Sequence, residues 1–136
     1  MSNNLPERSS RLHLPLLVGD LIAIVVFTAV GMAEHRQPLG VIAVLVTAVP
    51  FLIVWPLVSF WLGALRLQSV ETIIKSVTSI IFPWILTMPV ALQLRVLLLK
   101  RGAPIIFALV AFVSGWFFLA AWRIIYSIIS AKKKAA

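Results

Sequence analysis

Four apolar runs, at about residues 14–33, 39–65, 73–99 and 103–129, leave this chain few ways to fold. Each reaches or exceeds the ~20 residues that carry an α-helix across a ~30 Å hydrocarbon core. Runs so long and continuous are not the short alternating segments of a membrane β-barrel. The pattern therefore predicts an all-α fold, a four-helix transmembrane bundle. Only 12% of the 136 residues are charged, against about a quarter in a soluble domain. A domain this small could not hide so much apolar surface from water.

The net charge of +8 would point to nucleic acid in a soluble chain. Here most of the bases lie between and beyond the apolar runs, where they act as topology signals and contacts to anionic lipid. The chain reads as a short polar tail (residues 1–13), one membrane domain (14–129) and a basic tail (130–136). Lys132, Lys133 and Lys134 touch anionic headgroups in this reading. Arg8, Arg11, Arg66, Lys75, Arg123 and the three tail lysines fall on the side of the two termini, and Arg36, Arg95, Lys100 and Arg101 on the other. Cytoplasmic segments carry the Lys/Arg excess, so both termini are expected to be cytoplasmic or stromal. Gly31-Met32-Ala33 resembles a signal-peptide cleavage site, but the run before it exceeds a 7–15 residue h-region and contains Asp20. The expectation is a retained first span.

Prolines mark the helices. Pro38 and Pro104 suit helix starts, where a missing N–H matters least. Pro50 and Pro56 in the second run, and Pro83 and Pro89 in the third, predict bends.

A charge inside the bilayer seeks a partner or water, and it usually faces the bundle interior. Asp20 lies about six residues into the first helix, roughly 9 Å deep. Arg123 lies at similar depth in the fourth. Their matching depth predicts an Asp20–Arg123 ion pair joining the first and last helices, as a structural lock or as a proton or cation site. Gly19/Ala23 and Ala111/Gly115 have the small-xxx-small spacing that lets helices approach closely. A second cluster is expected at the other end, from Glu34, His35, Arg95 and Arg101. Arg95 either pairs with Glu34 or snorkels to the headgroups. In a sharper form, Arg95 and Arg101 build a site for an anion or lipid headgroup. Trp55, Trp84 and Trp116 fall near mid-membrane, as internal packing or as a surface for a partner helix, quinone or pigment.

Other chemistry is poorly served. His13 and His35 stand about 33 Å apart along one helix, which excludes haem held between them. Two distant histidines and four acids make neither a metal-dependent hydrolase nor a catalytic set. No metal, cofactor or nucleic-acid partner is expected. A lipid-modifying enzyme is the third-ranked class.

Gly19-Asp20, Pro50-Phe51 followed by Trp55, Arg95 followed by Arg101-Gly102, Phe107, and Trp122-Arg123 together resemble a small membrane family catalogued as domain of unknown function 3054. The resemblance covers about residues 14–125. Family members usually carry another base after the first-helix glycine, where this chain has Met32-Ala33-Glu34. The resemblance implies a compact four-helix membrane domain in a bacterial inner membrane or a thylakoid-type membrane. It marks Asp20, Arg95, Arg101 and Arg123 for testing and implies no activity. The functional expectation is a non-enzymatic accessory subunit or assembly factor of a larger membrane complex, with a membrane-protein partner or as a homo-oligomer. The alternative is a small oligomeric transporter or channel using Asp20 or the Arg95/Arg101 cluster.

Overall fold

A computed structural model describes residues 12–136; Arg8 and Arg11 lie outside the described residues. The helices are α1 (Leu14–Glu34), α2 (Val41–Trp61), α3 (Ile73–Thr78), α4 (Ile81–Leu99) and α5 (Ile105–Ala135), with a 3-10 turn at Leu67–Val70. No strand occurs among the described residues. Four spans are long and apolar enough to cross a membrane, with α3 and α4 together making the third. The protein is a membrane-type four-helix bundle. The backbone N–H of His13 donates to the Leu65 carbonyl, and its ring bonds the Tyr126 hydroxyl. These contacts define a proximal end, where both described chain ends emerge. His35 and Phe107 meet at the distal end, with ring centroids 5.5 Å apart.

Local chemistry sets the boundaries. α1 opens with proline in its first turn, where no N–H is needed. It closes as a Schellman motif: Gln37 N–H donates to Met32 and Arg36 N–H to Ala33. The left-handed position in that motif is Arg36, with φ 51°. Pro38, expected to open the second helix, stands ahead of it instead, and Gly40 is the N-cap. α2 also stops short of the expected residue 65, because the chain turns at Gly63, whose φ is 71°. α4 ends at Lys100, again left-handed at φ 53°, and Pro104 caps α5. The basic residues Lys132 to Lys134, expected as a tail, fall in the last turn of α5. Cations there complement the helix dipole.

The third span breaks rather than bends. A proline ring clashes with the carbonyl four residues earlier and cannot donate to it. For Pro83 that residue is Ser79, and the helix is interrupted between Thr78 and Ile81. Pro89, by contrast, sits inside continuous α4.

The core is aromatic. Trp84 lies 5.8 Å from Trp55 and 6.3 Å from Phe51, and Phe27 closes the group at 6.4 Å from Trp84. The Trp84 indole N–H donates to the Phe112 carbonyl at 2.8 Å. The small-residue positions serve these rings. A Cβ on Gly115 would stand 2.3 Å from Trp84, and one on Gly19 would stand 1.8 Å from Trp122. Each glycine thus admits an indole rather than a neighbouring backbone.

Candidate functional site

Asp20 and Arg123 are both wholly buried, and they form the expected pair. Arg123 Nε donates to Oδ1 at 3.1 Å and Nη2 to Oδ2 at 2.5 Å, in the two-pronged geometry that suits a guanidinium to a carboxylate. Trp55 Nε1 donates to Oδ2 at 3.1 Å. The remaining nitrogen, Nη1, donates to the Ala64 carbonyl at 2.8 Å, and lies 3.4 Å from both the Ser69 and Ser79 hydroxyls.

The segment between α2 and α4 makes this closure possible. The chain turns back after α2 and brings Ala64 and Ser69 over the guanidinium, and the break before Pro83 leaves Ser79 beside it. Ser69 in turn donates to the Ala64 carbonyl at 2.8 Å. Buried charges are tolerated when paired and hydrogen-bonded throughout, and this pair meets that condition. Depth and sign reveal the pair in the sequence. The acceptors around Nη1 escape that reasoning, because a loop carbonyl leaves no residue-type signal. Ser79, four residues ahead of Pro83, is the one detectable hint.

The tryptophans divide. Trp55 and Trp84 are fully buried at 0% exposure, so neither presents a surface to a partner, quinone or pigment. Trp55 serves Asp20 and Trp84 serves the core. Trp116 is half-buried.

The distal cluster assembles around space rather than around an ion pair. Among the described residues, the salt bridges are Asp20–Arg123 and the exposed Glu71–Lys75, so the Glu34–Arg95 pair does not form. The Arg95 guanidinium lies instead over the Phe107 ring, 5.5 Å from its centroid, a cation–π arrangement. Its Nε is buried with no hydrogen-bond partner among the described residues.

Two clefts of about 460 Å³ each adjoin here, and Met32, Gln37, Thr47 and Arg95 line both. The first is walled by α1 and α5, through residues that include Phe27, Gly31, Phe107, Ala111 and Phe118, with Phe51 of α2 behind them; Glu34 and His35 stand at its distal mouth. Exposed Val30, Ile106 and Val110 form part of its lining, so it opens sideways, where lipid tails lie. A Cβ on Gly31 would meet nothing within 4 Å. The second cleft is more polar, and Gln37, Thr47, Arg95 and Arg101 contribute to it. Arg95 and Arg101 are therefore brought to one place, with Glu34 and His35 at the adjoining mouth.

A family model described as protein of unknown function (DUF3054) matches residues 17–126. The chain belongs to that family. The DUF3054 region contains Asp20, Arg95, Arg101 and Arg123, and every residue lining the two clefts. No curated protein and no solved structure matches the chain.

Proposed function

We propose that this chain is a non-enzymatic membrane component, an accessory subunit or assembly factor of a larger complex, whose own contribution is to hold an elongated apolar ligand between α1 and α5. The observation that carries this reading is the cleft beside Gly31. At about 460 Å³ it falls within the ~300–1,000 Å³ of small-molecule sites. Its walls are apolar and its lining includes residues exposed at the side of the bundle, while the half-buried Arg95 stands at its end.

The distribution of bases supports cytoplasmic or stromal termini. In that orientation the cleft occupies the half of the bilayer away from the cytoplasm. A bacterial inner membrane or thylakoid-type membrane suits the resemblance of the sequence.

Small-transporter function through Asp20 receives little support, because both carboxylate oxygens already accept hydrogen bonds and neither cleft is lined by Asp20. A transport role for Arg95 and Arg101 would use the same cleft, and it would be recognised by flux in liposomes.

The test compares wild-type protein with Gly31→Trp, which fills the cleft, after mild-detergent purification and native mass analysis. The expected wild-type protein carries a bound small mass and a crosslinked membrane partner, and the variant loses the small mass while staying folded. Recovery of the wild type as a bare monomer, with neither ligand nor partner, would refute the proposal.

A further inference from the structure

The α1–α5 cleft has a depth and a polarity that together specify an occupant. Along α1 it runs from Phe27 to Glu34, about 10 Å at 1.5 Å per residue, and along α5 from Phe118 to Phe107, about 16 Å. One leaflet of a ~30 Å hydrocarbon core is about that deep. At the inner end the walls are aromatic. At the distal end the chemistry changes within one helical turn of the end of α4, where Arg95 stands.

Arg95 is placed to receive an anion. Its guanidinium is held over Phe107, and its buried Nε lacks an acceptor. Thr87 Oγ1 and the indole nitrogens of Trp116 and Trp122 are also buried without a hydrogen-bond partner among the described residues; what sets Arg95 apart is its positive charge and its place in the lining of both clefts. Glu34 lines the same cleft without pairing to it. Arg101 lines the second cleft on the other side of Arg95. Two cations against one carboxylate leave the region where the two clefts adjoin positive.

Building on the ligand-holding reading, we infer that the two clefts form one site for an anionic membrane lipid. One acyl chain lies in the trench beside Gly31. The headgroup phosphate accepts from Arg95 in the second cleft, with Arg101 supplying further positive charge. A trench one leaflet deep with its cation at the headgroup level matches a lipid standing in its normal orientation. A neutral apolar molecule would leave Arg95 as it is.

The experiment uses the full chain, reconstituted in vesicles of phosphatidylcholine with a minor fraction of phosphatidylglycerol and then extracted in mild detergent. Bound lipid is quantified by mass spectrometry. The wild type should retain about one phosphatidylglycerol per chain, enriched about tenfold or more over the vesicle composition, the scale of one charge-assisted hydrogen bond. Arg95→Gln should keep a bound lipid but lose the enrichment, Arg95→Lys should keep part of it, Gly31→Ala all of it, and Gly31→Trp should keep no lipid.

Bound lipid at the vesicle ratio in the wild type would overturn the anionic preference while leaving the ligand-holding reading intact. Wild type and Gly31→Trp both emptied of lipid would overturn the two together. Displacement of the phospholipid by equimolar palmitate would overturn the phospholipid assignment in favour of a single-chain acid. Should Arg95→Gln fail to fold, the wild-type enrichment and the Arg95→Lys variant still decide the matter.

Discussion

The indole of Trp122 occupies the space where a side chain on Gly19 would stand, with ring carbons 1.8 and 1.9 Å from the position of a Cβ. Gly19 is next to Asp20 and Trp122 is next to Arg123. The contact thus sets the separation of α1 and α5 where the ion pair forms. Gly19→Ala should destabilise the bundle by about 1–3 kcal/mol, the usual effect of overpacking, read by unfolding in detergent. The double variant Gly19→Ala/Trp122→Ala should lose less than the two single changes added together, since the neighbours share one space. Strict additivity would show that the contact does not limit helix approach.

Removing one member of the buried pair leaves the other charged and unpaired. Asp20→Ala or Arg123→Ala should each cost about 3–5 kcal/mol, visible as poor accumulation and a lowered unfolding midpoint. Replacing both together by Leu and Met should be milder than either single change. An Asp20→Asn protein that folds normally but loses a measured ion flux would reverse the structural assignment.

Pro83→Ala restores an N–H that can reach the Ser79 carbonyl. Hydrogen exchange of the purified protein should then show new protection at residue 83, as the α3–α4 break heals. Ser79 should rotate away from Arg123, and stability should fall by about 1 kcal/mol, the scale of one buried hydrogen bond. A freely exchanging amide at residue 83 of the variant would mean that the loop, not the proline, dictates the break.

Arg36 and Lys100 both hold left-handed backbone, at φ 51° and 53°. An L-residue there costs about 1–2 kcal/mol, offset in part by the greater freedom glycine has when unfolded. Arg36→Gly and Lys100→Gly should each raise stability, by roughly 0.5–1 kcal/mol. A loss in either variant would show that its side chain makes a stabilising contact at the distal end.

The sequence displays the spans because lipid demands continuous apolar helices, and it displays Asp20–Arg123 because sign and depth restrict the choice of partner. Loop geometry is less visible. Nothing in the residue types announces that Ala64 would offer its carbonyl to Arg123. Glu34 and Arg95 pass the same test of sign and depth as Asp20 and Arg123, yet they do not pair. They stand at the distal end, near the membrane surface, where the penalty that enforces pairing at depth is weaker, and Arg95 lies over the Phe107 ring instead. The small-residue pairs are equally ambiguous, since spacing alone does not say whether a gap admits a backbone or an indole. The cleft beside Gly31 leaves no trace, because empty space arises from how α1, α2 and α5 pack together.

Asp20 and Arg123 are separated by 103 positions in the chain, and this gives the bundle a history during synthesis. At ~5–20 residues per second, the acid waits roughly 5–20 s for its base to be made. Until then α1 carries a carboxylate into the membrane with no countercharge, so the insertion machinery or a wet interface has to shelter it. Only when α5 enters can α1 settle, which makes the arrival of α5 the step that neutralises the buried acid.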